Sequence, residues 1–343
     1  MCRRRGKGHR GMKRPVYVMR SGRLTRRQNT LCLSEDQEGR KRYLPIEQIS
    51  EIHLFGEVDL TKRLLEFLTR HEVPLHVYSH YGYYMGSYYP REHNNSGYLL
   101  LQQAACYLDP AKRLDLAKRF VDGALHNMEQ VVRYYMNRGT AVEDPYQRLV
   151  EQHARLGEAE SVESAMQVEG QARQAYYEAL DRILDNPDFA FESRTRRPPQ
   201  NRLNALISFG NSVLYTTVLS EIYRTHLDPR IGFLHATNFR RFTLNLDVAE
   251  VFKPVLVDRT ILTVVRKGQV SRKHFEESLG GLYLTAEGRQ RYLEAWEQRL
   301  AATFHHRGLR RHVSYRELIR LELYKIERHL MGDAEYRPFR SRW

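Results

Sequence analysis

The chain has 343 residues, of which 41% are hydrophobic and 28% charged; that suits two domains, or one large one with a sizeable core, and excludes wholesale disorder. Lys and Arg number 55 against 41 Asp and Glu, a net charge of +14, which points to a polyanionic partner and to nucleic acid first. No apolar run reaches the length of a membrane span, and the three scattered cysteines (Cys2, Cys32 and Cys106) make neither a disulfide framework nor a zinc spacing, so the expected setting is reducing and cytoplasmic.

Residues 1–13 are dominated by Arg, Lys, Gly and His and read as a flexible basic arm. From 14 to 92 the pattern is that of a small β-rich domain with one helix. Short apolar runs at 16–19 and 30–33 read as strands, and Ile46, Ile49 and Ile52 lead into His-Leu-Phe-Gly at 53–56. Residues 60–70 read as the helix, with Leu64, Leu65 and Leu68 inward, and 74–78 return to strand. The tyrosine-rich run 81–89 reads as an aromatic hairpin. Its rings, with Tyr78, could stack bases, but their alternation favours sheet packing or a dimer contact.

His-Asn-Asn-Ser-Gly at 93–97 opens a linker over 93–98, and 99–343 form a larger all-α domain. Apolar residues at three- and four-residue spacing mark helices within 99–136, 158–184, 203–226, 287–303 and 314–331. The fold class is therefore α+β. Between the second and third blocks, Arg194, Arg196 and Arg197 lie on a proline-stopped loop, where they could clamp phosphate or sit solvated.

Three constellations carry chemistry. In the first, Gly-Phe-Leu-His at 232–235 precedes a helix whose Asp247 and Glu250, three apart, share one face. His235 reads as the close of the preceding helix. A histidine with two carboxylates suits Mg²⁺ or Mn²⁺, though a lone histidine is more often a cap or a core residue. In the second, Glu169 lies on a stripe with Ala165, Ala172 and Tyr176, beside a Gly170 expected to admit a helix or a ligand. An ordinary surface glutamate is the competing reading. In the third, Asn204 and Ser208 beside Gly210 read as helix–helix hydrogen bonding. The phosphate-binding, dinucleotide, zinc-protease and serine-hydrolase motifs are absent.

In order along the chain, Glu-Gly-Gln-Ala at 169–172, Arg-Arg-Pro-Pro at 196–199 and Asn-Ala-Leu-Ile-Ser-Phe-Gly at 204–210 are followed by Gly-Phe-Leu-His. Next come Leu-Asp-Val-Ala-Glu-Val-Phe-Lys-Pro at 246–254, Tyr-Lys-Ile-Glu-Arg-His-Leu at 324–330 and Tyr-Arg-Pro-Phe at 336–339. This ordered set resembles the CRISPR-associated integrase family that inserts new spacers into a repeat array. The resemblance implies a homodimer that works with a small dimeric companion protein on DNA, both incoming fragment and repeat array. It implies a metal site of Glu169, His235 and Glu250, with Asp247 as a second acidic position, holding Mg²⁺ or Mn²⁺. The implied activity is endonuclease and integrase chemistry. Asn211 departs from the family, which commonly has Tyr there. The alternatives are a branched-DNA repair nuclease and a non-catalytic basic DNA-binding protein.

Overall fold

The computed structural model describes residues 13–35, 41–91, 94, 96–237, 242–306 and 308–342. The arm expected over 1–13 lies, apart from Lys13, outside them. The chain divides into two units, Met1–His93 and Asn94–Trp343.

The first unit carries β1 (Arg14–Val18), β2 (Gly22–Arg27), β3 (Thr30–Glu35), β4 (Lys41–Pro45), β5 (Ile49–Leu54), β6 (Val58–Leu60), α1 (Lys62–His71), β7 (Leu75–Tyr78) and β8 (Tyr84–Tyr88). They form two four-stranded sheets, ordered β1-β5-β7-β8 and β4-β3-β2-β6. Leu24, Leu31, Ile46, Ile52, Leu64, Phe67 and Leu75 fill its core. Thr61 caps α1 by accepting the Leu64 N–H at 3.3 Å, and Glu72 ends the helix in a left-handed conformation. The buried face of α1 is Leu64, Phe67 and Leu68; Phe67 takes the place expected of Leu65, which is only half-buried. The tyrosine-rich run is not a hairpin by itself. Its first part turns the chain, and its second part is β8, antiparallel to β7. Tyr78 is buried, stacked on Phe55 at 4.2 Å and bonded to His53 Nδ1 at 2.9 Å, so it packs the sheet.

The second unit is mainly helical: α2 (Gly97–Leu108), α3 (Pro110–Met136), α4 (Glu143–Arg155), α5 (Val162–Leu184), α6 (Arg202–Ile222), α7 (Leu244–Lys253), α8 (Arg259–Arg266), α9 (Ala286–Ala301) and α10 (Tyr315–Leu330). Asp109 ends α2 and caps α3 by accepting the Ala111 and Lys112 N–H groups, with Pro110 in the first helical position. Two short hairpins interrupt the expected all-α pattern: β9 (Phe275–Ser278) with β10 (Gly281–Leu284), and β11 (Thr303–His306) with β12 (Arg311–Ser314).

Between α7 and α8 the chain makes one π-helical stretch, Pro254–Asp258. Pro254 has no N–H to offer the Glu250 carbonyl, and a widened turn is the usual response to that loss. Two of the stretch's carbonyls are taken by side chains: Arg299 Nε donates to Val255 O at 3.0 Å and Thr260 Oγ1 to Leu256 O at 2.7 Å.

The C-terminal residues 336–341 lie as a strap against α3, α7 and α10. Glu322 of α10 accepts the Tyr336 hydroxyl and the Phe339 N–H, each at 2.8 Å. Asn127 of α3 donates to Val251 O on α7 at 2.8 Å and to Phe339 O at 3.0 Å, and its own oxygen accepts the Ser341 N–H. The Phe339 ring lies nearly parallel to Phe252 of α7, with centroids 5.9 Å apart.

Candidate active site

The site is assembled from α5, α7 and the irregular segment that enters α7. That segment follows the end of α6 at Ile222, so His235 does not close a helix as expected. It is anchored from α2 and α3. Gln103 donates to Asp228 O at 2.9 Å and Ile231 O at 2.7 Å, and Arg113 to Phe233 O at 3.0 Å.

The residues 232–235 wrap the carboxylate of Asp247, which is fully buried. Its Oδ2 accepts the N–H of Phe233 at 2.5 Å and of Leu234 at 3.0 Å; its Oδ1 accepts the N–H of His235 at 2.9 Å and faces His235 Nδ1 at 2.8 Å. Successive backbone N–H groups converging on an anion form a nest. Gly232 is required here because a Cβ would come within 2.8 Å of both Asp247 Oδ2 and the Thr243 backbone. A carboxylate surrounded by N–H donors can only accept, so the imidazole proton is on Nδ1 and the Nε2 lone pair is available. Burial disfavours the charged imidazole, but Asp247 and then Glu250 outweigh it and raise the His235 pKa above its ordinary value.

His235 Nε2 points toward Glu250, 4.0 Å from Oε1. Both Glu250 oxygens also meet cations: Oε1 accepts from Lys253 Nζ at 2.5 Å and Oε2 from Arg173 Nη2 at 2.6 Å. Burial alone would raise the Glu250 pKa, yet Lys253 and Arg173 hold it well below the usual carboxylate range. The same Arg173 guanidinium pairs with Glu169 one turn earlier on α5. Arg173 thus forks between carboxylates on two helices and holds Glu169 and Glu250 together, with His235 facing the second of them.

Arg173 and Lys253 are the residues that reading the sequence missed. Their spacings, four after Glu169 and three after Glu250, were the available signal. Ala165, Ala172 and Tyr176 are fully buried, as the Glu169 stripe required. Gly170 is different: it is exposed, and nothing lies within 4 Å of a Cβ built there, so no helix of this chain approaches it.

Arg194 turns inward, donating to Asn204 Oδ1 at 3.0 Å and Ser208 Oγ at 3.1 Å. Asn204 Nδ2 also donates to Ser193 O at 2.7 Å. Asn204 and Ser208 therefore anchor the loop to α6 and do not bond a neighbouring helix. Arg196 and Arg197 remain exposed on that loop.

Among the described residues, no group of three or more His, Cys, Asp or Glu side chains could hold a metal ion as it stands. The donor chemistry nonetheless fits a hard divalent ion. An imidazole nitrogen and a carboxylate oxygen 4.0 Å apart span about twice the roughly 2.1 Å bond of such an ion. Cationic groups already neutralise the carboxylates where that ion's charge would be needed.

The family described as "CRISPR associated protein Cas1" matches residues 16–298. The chain is 53% identical over 332 residues to "CRISPR-associated endonuclease Cas1 2" of Thermodesulfovibrio yellowstonii, covering 97% of this chain and 100% of that protein. It also resembles the solved structure of a Cas1 protein from Thermotoga maritima, with a TM-score of 0.87 and 45% identity, covering 94% of this chain and 99% of that one. Two structures at 19% identity share the fold. A casposase bound to an integration product has a TM-score of 0.85, with 94% of this chain and 92% of that one covered; a Cas6-RT-Cas1–Cas2 complex has 0.83, with 98% and 37% covered.

Proposed function

Because this chain belongs to the Cas1 family of CRISPR-associated proteins, we propose that it is a metal-dependent DNA endonuclease and integrase that joins short DNA fragments into a CRISPR repeat. The observation that carries this reading is the convergence of His235, oriented by Asp247, with Glu250 and Glu169, the two carboxylates forked by Arg173. Glu169, His235 and Glu250 would hold Mg²⁺ or Mn²⁺, with Asp247 behind the histidine. When bound, such an ion stabilises charge on the phosphate and on the departing oxygen.

In the joining step, the 3′-oxygen of the incoming fragment attacks a repeat phosphorus and loses its proton. A new P–O bond forms, the old P–O3′ bond breaks, and the released 3′-oxygen takes up a proton. The number of phosphodiesters is unchanged. Water in place of the 3′-hydroxyl gives endonuclease cleavage. The chain's residues contribute by orientation: Asp247 fixes the imidazole, and Arg173 keeps two carboxylates at one place despite their mutual repulsion.

As partners we propose DNA, a second copy of this chain, and a small dimeric companion of the Cas2 type. The net charge supports the first, and the fold shared with a Cas1–Cas2 assembly supports the last. The test is His235→Ala. Strand joining should vanish while filter retention of DNA stays near that of the unaltered protein. Joining at an undiminished rate overturns the reading.

A further inference from the structure

Lys253 and Arg173 hold Glu250 at the very oxygens that metal binding would need. Lys253 Nζ donates at 2.5 Å to Oε1, the oxygen that faces His235 Nε2. Arg173 Nη2 donates at 2.6 Å to Oε2, and the same guanidinium pairs with Glu169 Oε1. Glu250, Lys253 and Arg173 are all buried. A divalent ion shared by His235 and Glu250 would therefore meet two fixed positive charges, and like charges in a poorly solvated site repel strongly. Either the cations give way or the ion binds weakly.

Both cations have a second place to go. Lys253 Nζ lies 5.3 Å from the centroid of the Tyr215 ring on α6, inside the ~6 Å range of a cation–π contact. An ammonium that leaves Oε1 for that ring keeps a partner. For Arg173 the second place is Asp258, at the end of the π-helical stretch. Asp258 is 3% exposed, and among the described residues its Oδ2 has no hydrogen-bond partner. The buried Tyr176 and Tyr292 hydroxyls have none either, although the Asp258 charge is felt at both. Tyr176 and Asp258 perturb each other's ionisation without reaching hydrogen-bond geometry. Burial pushes the Asp258 carboxyl up to about 6, and the largest influence opposing that rise is Arg173. A buried carboxylate oxygen without a donor is destabilising. Its presence is explained if a guanidinium with several N–H groups, three residues before Tyr176 on α5, reaches it in another state of the site.

The charges agree with such an exchange. Glu169, Asp247, Glu250 and Asp258 are four carboxylates, and Arg173 and Lys253 are two cations. With His235 neutral, as a ligating imidazole is, these side chains lack the charge that one divalent ion carries.

We propose that Lys253 and Arg173 are stand-ins for the divalent ion: they hold Glu169 and Glu250 in place until an ion binds and then give way, Lys253 onto the Tyr215 ring and Arg173 toward Asp258. The inference rests on the function proposed above and adds an exchange of cations to it. Asp258 acts through Arg173 and is a positioning residue.

The test is Mn²⁺ affinity, measured by electron paramagnetic resonance on the full-length protein and on Lys253→Met and Asp258→Asn, with melting temperatures in a chelator. Lys253→Met should bind Mn²⁺ about tenfold more tightly, because one competing charge is gone, and should melt lower in the chelator, because Glu250 has lost a partner. Asp258→Asn should bind Mn²⁺ about tenfold more weakly, because Arg173 has lost the charge it moves toward, with its fold kept. A lysine with a merely structural role would lower the melting temperature without raising affinity. Unchanged or weaker Mn²⁺ binding by Lys253→Met overturns the proposal, and so does unchanged binding by Asp258→Asn. If Lys253→Met does not fold, the isosteric Asp258→Asn decides alone. An unaltered protein that binds no Mn²⁺ overturns the proposal together with the function on which it rests; the other failures leave that function standing.

Discussion

Asp247 shows what one side chain does when three of its four partners are backbone N–H groups and the fourth is an imidazole. Its four close contacts are N–H donors, so an amide in its place would turn an NH₂ toward other donors. Asp247→Asn should therefore loosen the 232–235 wrap and free the imidazole to rotate. The expected outcome is Mn²⁺ affinity lowered about 10- to 100-fold, measured by electron paramagnetic resonance. Unaltered Mn²⁺ affinity would remove Asp247 from the positioning role. Arg173 illustrates the complementary case: a fork with several N–H groups can bridge two carboxylates where a single ammonium could not. Its link to Glu250 spans 77 positions, so no local pattern announced it.

Between elements, α3 and α4 are tied through His153, whose Nδ1 faces Glu129 at 2.5 Å and whose Nε2 faces Asp122 at 3.1 Å. Burial disfavours the imidazolium, but Asp122 and Glu129 outweigh it and raise its pKa to about 9. A raised histidine pKa contributes stability that is complete below about 6.5 and is lost as pH rises through 9. The melting-temperature advantage of the unaltered protein over His153→Gln should therefore shrink between pH 6.5 and 9.5. An advantage constant across that window would sink the assignment. Helices whose apolar residues recur at helical spacing, such as α3 and α6, were legible in the sequence because one period governs a long segment. β9–β10 and β11–β12 were not. Their strands are four residues long, and Leu279 and Arg310 take left-handed turn conformations that their side chains do not advertise. The ligand candidates Glu169, His235 and Glu250 were legible only as an ordered set of motifs. What spacing could not supply was the cations between them.

Across the whole molecule, two units each hold a core of their own. Damage to one should stay within it. Phe339→Ala would strip the strap from Phe252 at a cost of about 2 kcal/mol for a half-buried ring. Amide hydrogen exchange should quicken in α7 and in residues 336–341, while amides of β5 and β7 keep their protection. Equal acceleration in both units would mean that the strap acts on more than the helix it touches. Among the described residues, no helix is long and apolar enough to cross a membrane. The surplus of +14 attracts polyanions with a strength that salt tunes.

The wide turn at Pro254–Asp258 has a consequence of phase. A helix advances about 100° per residue, and one added residue accommodated as a π turn resets the azimuth of everything downstream without ending the helix. The direction in which Glu250 looks and the direction in which Arg259 and Arg266 look are thus set independently on a single shaft. Removing Val255 would leave every one of those side chains in the protein, yet rotate one group about a third of a revolution out of step with the other.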